Sequence, residues 1–368
     1  MNVVIIKEKL KEGLDSVSKS GGENKELPIL KNILVEAKNN RIKLVSTNLE
    51  IAITAFVPGK VIEEGETTVP LSLFLGIING IQTERINLEL KNGVLDIKTD
   101  NYNAKLQCVS SEEYPLIPKI KNKSSFISIS SDIFRTATEQ VMSASQILEN
   151  RPDLNSVLFS LENEGLTLTS TDSFRLAEKR VKEGDFKQEE MENISCLVPL
   201  KTIMDASKIF KEGEVKIYIE ESQILFESER VEMISRLLEN KFPDYKQLIP
   251  KKAEAEVLIN KGELLNALKL SSVLSSKTNE INIEKEGDKA IKIFSNEESV
   301  GENVYTLPAK IKGSFDKISF NWKYLSDGVR AIKSEEVYLG INDETKPALI
   351  REPNEGSFVY ILMPILKS

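Results

Sequence analysis

The chain has 368 residues, of which 40% are hydrophobic and 29% charged, and a formal net charge of −8; this balance is typical of a globular protein. It contains no histidine, which excludes a Ser-His-Asp triad and removes the most usual general base and metal ligand. Its two cysteines lack CxxC spacing and cannot build a closed zinc site alone, and no glycine-rich phosphate-binding motif follows a strand.

The first predicted elements are a short apolar strand at Val3–Ile6 and a helix over residues 7–19. Leu10, Leu14 and Val17 are spaced by four and three residues in this helix, so they share one face. The same strand and helix recur twice further along, at Phe126–Ile129 with residues 131–145 and at Val257–Ile259 with residues 261–272.

A second helix is predicted in each of these three sections, over residues 71–80, 200–211 and 321–333. Pro70 and Pro199 stand at the start of the first two, where a missing N–H is tolerated. Alternating strands follow, such as Ile86–Leu90 and Val215–Ile219. Period-two alternation predicts antiparallel sheets with one buried face and one solvated face.

The recurrence of elements reflects an internal repeat of sequence. Ile42–Asn48 resembles Leu166–Asp172 at an offset of 124 residues, and a more diverged third copy lies at Ile291–Asn296. A repeat of this length is a whole domain and not a solenoid unit. Proline-bracketed segments at Tyr114–Pro118 and Phe242–Pro250 are typical of linkers. We therefore predict three like domains, at residues 1–124, 125–251 and 252–368. Three like domains on one chain suit a protein that wraps or rings its target.

Charge is distributed unevenly along the chain. The six predicted helices together carry a net charge of +5, which leaves −13 for the remainder. Most of the helical excess comes from six residues, Lys201, Lys208, Lys211, Lys323, Arg330 and Lys333. An acidic protein with basic helices would attract a polyanion to those helices. The alternative is that these side chains are ordinary solubility charges on helix surfaces.

The repeat and several short segments, taken in chain order, resemble the bacterial DNA polymerase III β subunit, the replicative sliding clamp. The resemblance covers the full chain and is carried by four segments, Arg151–Asn155, Ser170–Ala177, Phe242–Tyr245 and Tyr360–Pro364. It implies an α+β fold of three repeated DNA-clamp domains, with helices lining a central hole and antiparallel sheets outside. Two chains would join head to tail around duplex DNA.

Helix geometry is consistent with a ring of two chains. Helices packed side by side lie about 10 Å apart, so six would enclose a hole of only about 9 Å, whereas twelve would leave about 28 Å. By resemblance the DNA contacts are Lys25, Lys201, Lys208, Lys323 and Arg330. The segment Glu23–Lys25 and the uncharged start of the second helix, Leu71–Phe74, stand where relatives often carry arginine or lysine. We therefore expect weaker DNA contact from the first domain.

The resemblance also implies a pocket for short linear motifs of the replicative polymerase, the clamp loader and repair proteins. It maps to Leu154, Thr171, Ser173, Phe174, Arg175, Leu176, Pro243, Gln247, Leu248, Tyr324, Pro347, Ile361, Met363 and Pro364. Exposed Leu and Met suit a promiscuous peptide surface. The alternative is that Leu176, Leu248 and Met363 are plain core. Ser173 and Phe174 stand where relatives commonly carry Gly-His, so the aromatic ring is expected to reshape the pocket mouth.

The dimer contact, again by resemblance, joins the first domain of one chain to the third domain of its partner. It maps to Lys105, Leu106 and Cys108 on an edge strand, facing Val273, Leu274, Glu297, Glu298 and Glu302. Lys105 could pair with the three glutamates, although ion pairs at a rim contribute little. The alternative is that the glutamates are a solvated charge run.

The residues taken alone leave two other classes of protein open. One is a scaffold that binds proteins without encircling DNA, and the other is an enzyme that uses carboxylates and lysines. The absence of histidine and of any motif confined to one repeat weighs against an enzyme. The resemblance implies a processivity factor with no catalytic residue, metal or cofactor. The chain has no run of 18 apolar residues and no signal-peptide pattern, so we expect a cytoplasmic protein. The resemblance implies that it is a homodimer.

Overall fold

A computed structural model describes residues 1–21, 27–148, 151, 153–162, 165–191, 193–275, 277–297 and 301–366. Within these ranges the chain forms six α-helices: α1 Lys7–Val17, α2 Leu71–Gly80, α3 Ser131–Met142, α4 Leu200–Ile209, α5 Lys261–Ser272 and α6 Trp322–Ala331. All six predicted helices are present, and four of them end two or three residues earlier than predicted. No helix in the described ranges is long and apolar enough to span a membrane.

Like the helices, the strands recur in the three repeats. The first repeat contains β1 Asn2–Ile6, β2 Asn32–Lys38, β3 Arg41–Thr47, β4 Ile51–Glu63, β5 Gly65–Pro70, β6 Arg85–Lys91, β7 Val94–Lys98 and β8 Asn103–Gln107. The second contains β9 Phe126–Ser130, β10 Ser156–Glu162, β11 Gly165–Thr171, β12 Arg175–Val181, β13 Phe186–Glu189, β14 Ile194–Pro199, β15 Glu214–Ile219, β16 Gln223–Glu227 and β17 Val231–Arg236. The third contains β18 Ala255–Asn260, β19 Glu280–Glu286, β20 Ala290–Glu297, β21 Gly301–Pro308, β22 Lys310–Gly313, β23 Lys317–Asn321, β24 Glu336–Ile341, β25 Ala348–Glu352 and β26 Glu355–Leu362.

A repeated serine ties the strands to the first helix of each repeat. In the second repeat the Ser170 hydroxyl donates to the Val141 carbonyl in the last turn of α3, and in the third Ser295 donates to a carbonyl in the last turn of α5. In the first repeat the direction is reversed, because Ser20 beyond α1 donates to the Ser46 carbonyl at 3.0 Å. All three hydroxyls are buried, and those of Ser20 and Ser295 also lie within hydrogen-bond distance of a second acceptor, the Val17 carbonyl and Asn303 Oδ1.

The chain divides into two compact units, and the second repeat contributes to both. Unit 1 comprises Met1–Asp132, Lys187–Met191 and Asp205–Leu237. It contains a 13-stranded sheet in which β17 of the second repeat pairs antiparallel with β4 of the first. Helix α1 lies close to this sheet, since a Cβ atom on Gly13 would come within 2.6 Å of Val57 Cγ2.

Unit 2 comprises Ile133–Phe186, Glu192–Met204 and Leu238–Ser368. It contains a nine-stranded sheet, in which β12 of the second repeat pairs with β26 of the third, and a four-stranded sheet of β21, β20, β19 and β23. Helix α6 lies against β26, where a Cβ atom on Gly328 would come within 2.6 Å of the Tyr360 ring. Both units therefore use the same joint, in which the fourth strand of one repeat pairs with the last strand of the next.

Candidate functional site

The candidate site is built on the tight turn between β11 and β12 in unit 2. The Thr171 hydroxyl donates to the Arg175 carbonyl at 2.7 Å, and the Asp172 carboxylate accepts from the backbone N–H groups of Phe174 and Arg175 at 3.0 and 3.1 Å. Ser173 has a φ of 79°, a left-handed conformation that non-glycine residues adopt rarely. These bonds hold the turn so that the Phe174 side chain is 61% exposed.

The first repeat contains the same turn between β3 and β4 in unit 1. The Thr47 hydroxyl donates to the Ile51 carbonyl at 2.9 Å, and Asn48 Oδ1 accepts from the N–H groups of Glu50 and Ile51. Leu49 takes the left-handed position, with a φ of 76°. The two turns differ in their side chains, because Glu50 and Ile51 stand where the second repeat has an aromatic ring and an arginine.

Arg175 is buried and joins several elements of unit 2. Its Nε donates to Asp172 Oδ2 at 2.8 Å and its Nη1 to Asp327 Oδ2 on α6 at 2.7 Å. The guanidinium carbon also lies 4.2 Å from the centroid of the Tyr324 ring, a cation–π distance. Burial acts to lower the pKa of Arg175, but the Tyr360 oxygen and the hydrogen bonds to both carboxylates outweigh it and raise this pKa. The group therefore stays charged, and Arg175 is a structural tie between the turn and α6.

Tyr324 contacts both the buried Arg175 and the exposed Phe174 of the turn. Its ring stacks on that of Phe174, with centroids 6.3 Å apart and an interplanar angle of 27°. The Phe174 carbonyl accepts from the Met363 N–H at 2.9 Å, which places the segment after β26 beside the turn. The structure thus brings together Phe174, Arg175, Tyr324 and Met363 from three separate segments.

A second group of predicted residues forms buried core instead of an open surface. Leu176 pairs with Ile361 across β12 and β26, and both side chains are buried with Tyr245 in one apolar cluster. The alternative interpretation as core is therefore right for Leu176. It is wrong for Leu248, which is 53% exposed, while Met363 is half-buried.

The linker that carries Leu248 is anchored by Tyr245. Its hydroxyl donates to Glu178 Oε2 at 2.7 Å and accepts from Thr169 Oγ1 at 3.0 Å. Burial, with the nearby Glu178 carboxylate, raises the pKa of Tyr245. The Leu248 N–H donates to the Tyr245 carbonyl in a short 3-10 turn, from which Gln247 and Leu248 face solvent.

The remaining pocket candidates differ in accessibility. Leu154, Thr171 and Pro364 are buried, Pro347 is half-buried, and Pro243 is exposed. Among the predicted pocket residues, Phe174 and Leu248 are the large apolar side chains that are exposed. Asp172 and Asp327 were not predicted as partners of Arg175, although the spacing of three between Asp172 and Arg175 is visible in the sequence.

The cationic candidates lie on helix surfaces in equivalent positions. Lys201 and Lys208 are exposed on α4, and Lys323 and Arg330 are exposed on α6. Each pair is seven residues apart, which places both members on one helix face about 10 Å apart. Lys25 lies outside the described residues.

The candidates for the dimer contact lie at two sheet edges. Strand β8 is the last strand on one side of the 13-stranded sheet, and β21 is the last strand of the four-stranded sheet, within the described ranges. Val273 at the end of α5 is 73% exposed, and Leu274 lies beside Gly301 at the start of β21. Leu106 is only 9% exposed, because it packs within its own sheet opposite Leu95.

The other dimer candidates are mostly accessible. Lys105 and Glu302 are exposed, Cys108 is half-buried, and Glu297 ends β20. Glu298 lies outside the described residues.

A cavity of about 1410 Å³ lies elsewhere, in unit 1. It is lined by α1, by the end of α4 and by the turn between β16 and β17. Its rim mixes both signs of charge, and Arg230 reaches Glu12 at 3.7 Å. Apart from Lys208, the predicted site residues do not line it.

Comparison with known proteins identifies the family. The family models of the DNA polymerase III beta subunit match in order, the N-terminal domain at residues 1–118, the central domain at 128–244 and the C-terminal domain at 246–366. The beta sliding clamps of Bacillus subtilis and Staphylococcus aureus are each 28% identical to the chain, over 99% and 92% of both sequences respectively.

Solved structures agree with this assignment. The DNA polymerase sliding clamp from Bacillus subtilis matches over the full length of both chains with a TM-score of 0.94 and 27% identity, and the DNA polymerase III beta subunit from Thermotoga maritima does so with 0.91 and 25%. The predicted fold class, three DNA-clamp domains of helices and antiparallel sheets, is confirmed. The chain therefore belongs to the DNA polymerase III beta subunit family, the sliding clamps of DNA replication, which are processivity factors and not enzymes.

Proposed function

We propose that two copies of this chain join head to tail into a closed ring that encircles duplex DNA. Each copy would contribute three clamp domains, at residues 1–124, 125–251 and 252–368. The ring would hold the replicative polymerase, and in turn the clamp loader and repair proteins, on the DNA. Chromosome replication in bacteria takes place in the cytoplasm, and we place the ring there.

The observation that carries this proposal is that candidate dimer residues lie at two terminal strands of the described sheets, β8 and β21, in a chain of the clamp family. An edge strand presents unpaired N–H and C=O groups that favour pairing with another strand. Pairing β8 of one chain with β21 of its partner would satisfy both edges. Because Leu106 is already buried, we expect β8 to contribute mainly backbone bonds, while Val273 and Leu274 supply the apolar contact.

The exposed cations of α4 and α6 suit a DNA contact that slides. A few flexible Lys and Arg side chains give weak, salt-sensitive attraction to phosphates and do not read base sequence. Helix α2 has no charged residue, so the first domain would add little to this attraction. Topological closure, and not tight binding, would keep the ring on DNA.

The exposed apolar surface around Phe174 and Leu248 is the proposed docking site for short motifs of partner proteins. The buried Arg175 tie and the Tyr245 anchor hold its walls in place. Preformed pockets limit the ordering that binding requires. A site of this kind lets several partners exchange on one ring.

The test of the ring is retention on closed DNA. The chain is loaded on a nicked circular plasmid and separated from free protein by gel filtration. We expect it to remain with the circle and to be lost when a restriction enzyme linearises the DNA. Equal retention on circular and linear DNA would contradict encirclement. Sedimentation should give a mass near twice 41.3 kDa.

A further inference from the structure

We propose that the joint between the first and second repeats is a hinge, which swings about the β4–β17 strand pair and opens or closes the cavity between α1 and the end of α4. The joint between the second and third repeats is locked at the equivalent place. The hinge lies within one chain and does not depend on the proposed ring, DNA contact or docking site.

The two joints involve equivalent helices. The offset of 124 residues between the first two repeats places Ser16 of α1 at the position of Gln140 of α3. Helices α4 and α6 have ten residues each, so their last residues, Ile209 and Ala331, are equivalent as well. The contacts of these four residues can therefore be compared directly.

At the joint between the second and third repeats, a buried amide links the two helices. Gln140 Nε2 donates to the Ala331 carbonyl at 3.0 Å, and Gln140 is only 3% exposed. Arg175 adds a second link across this joint, because its Nη1 donates to Asp327 of α6 at 2.7 Å. Buried polar groups are costly to leave without their partners, so these helices cannot separate without a loss of stability.

At the joint between the first and second repeats, the cavity lies between the same helices. Ser16 and Ile209 both line this space of about 1410 Å³. The Ser16 hydroxyl donates to the Glu12 carbonyl of its own helix at 3.0 Å, and a serine side chain lacks the reach of the Gln140 amide. Because close packing is what makes protein interiors resist displacement, a gap of this size leaves α1 and α4 room to approach each other.

The second link is replaced at this joint as well. Ile51 occupies the position of Arg175, so there is no guanidinium at that place to bind the helix. Arg230, in the turn between β16 and β17, approaches Glu12 of α1 at 3.7 Å, but both side chains are more than half exposed. A solvated pair of this kind contributes little, and it therefore does not hold the cavity at one width.

The strands of the same joint supply the axis of the hinge. Strand β17 pairs antiparallel with β4 along five residues of each strand, and the Phe56 N–H extends this ladder to the Arg230 carbonyl at 2.8 Å. The linker is fixed too, since the Lys121 N–H donates to Glu220 Oε1 at 2.7 Å. Hinges need only a few positions that absorb a rotation, and a continuous strand pair beside an open gap provides them.

The experiment compares equivalent pairs of spin labels at the two joints by double electron–electron resonance. Both native cysteines are first replaced by serine. One pair is Asp15→Cys with Lys208→Cys across the cavity, and the matched pair is Glu139→Cys with Arg330→Cys; all four positions are exposed. Labelled chains are diluted with unlabelled chain, so that distances within one chain are measured. We expect a broader distance distribution across the cavity than at the matched pair.

Exchange of the two equivalent residues tests the cause. Ser16→Gln supplies the missing amide, so it should shift the distribution across the cavity to shorter distances and narrow it, whereas Ser16→Ala should leave it as in the parent. Gln140→Ser removes the link between α3 and α6 and should broaden the matched distribution. The thermal midpoint of each variant verifies folding.

Equal widths at the two joints of the parent would overturn the hinge without recourse to any variant. An unchanged distribution across the cavity in Ser16→Gln would overturn it too, because a gap that does not close is not a hinge. A matched distribution that Gln140→Ser leaves unaltered would refute the lock between α3 and α6. None of these results bears on ring formation, which sedimentation and retention on circular DNA test separately.

Discussion

Removing the Arg175 guanidinium should destabilise unit 2 far more than removing one of its partners. In Arg175→Met the Asp172 carboxylate, whose side chain is 1% exposed, would be left buried without its cation. Breaking a buried ion pair in this way costs about 3–5 kcal/mol. In Asp327→Asn the lost carboxylate is 39% exposed, and a solvated partner contributes at most about 1 kcal/mol.

These values translate into separable changes in thermal stability. For a unit of this size, 1 kcal/mol corresponds to about 2–4 °C, so Arg175→Met should lower the midpoint by about 6–20 °C and Asp327→Asn by less than about 4 °C. Adding Asp172→Asn to Arg175→Met should recover part of the loss, since it removes the stranded charge.

The assay can observe unit 2 selectively. Trp322 is the chain's one tryptophan and begins α6, so its fluorescence reports the helix that Asp327 joins to Arg175. Thermal unfolding is monitored by this fluorescence at neutral pH, and its midpoint temperature is compared for the parent, the two single variants and the double variant. The reasoning is refuted if Arg175→Met shifts the midpoint no more than Asp327→Asn does, or if Asp172→Asn worsens the first variant.

Three further predictions concern the ring, the DNA contact and the pocket. The double variant with Val273→Asp and Leu274→Asp should sediment as a folded monomer, because a buried unpaired charge at the contact costs several kcal/mol; an unchanged dimer would place the contact elsewhere. Lys201→Glu with Lys323→Glu should weaken loading on primed DNA and reduce its salt slope, with stability changed by only about 0.5 kcal/mol; parental loading and slope would show that these lysines do not face DNA. Leu248→Ala should raise the Kd of a fluorescein-labelled Gln-Ala-Ser-Leu-Phe peptide roughly thirtyfold, because loss of a central anchor costs about 2 kcal/mol, and the dimer should persist; parental affinity would exclude Leu248 as an anchor.

The first helix was predictable from sequence because its apolar residues recur along one face. Leu10, Leu14 and Val17 of α1 are fully buried, as their spacing requires. The ends were less predictable, since the last turn of a helix frays and its boundary depends on local capping. Helix α3 stops at Met142, three residues before its predicted end. Here Ser143 and Ser145 bond back to carbonyls of the preceding turn.

The family resemblance proposed a set of site residues, of which the structure brings Phe174, Arg175, Tyr324 and Met363 together, but it could not give their burial or bonding. Which of Leu176 and Leu248 would be buried depends on strand pairing and on the Tyr245 anchor, which are tertiary contacts. The bond from Arg175 to Asp327 joins residues 152 positions apart, and no local pattern encodes such a pair. The same applies to the joint of β4 with β17, because cross-strand partners are selected by the packed sheet and not by neighbours in sequence.

The open edges at β8 and β21 have a consequence whenever the proposed ring is not closed. A chain with β8 and β21 uncovered presents templates for pairing with any extended strand, and Val304 on β21 adds an exposed apolar side chain. Such edges promote aggregation unless charges interrupt them. Lys105 on β8 and Glu302 on β21 stand where they would serve this purpose. Lys105 and Glu302 would then keep opened rings and newly made chains soluble, although they contribute little to affinity in the closed ring.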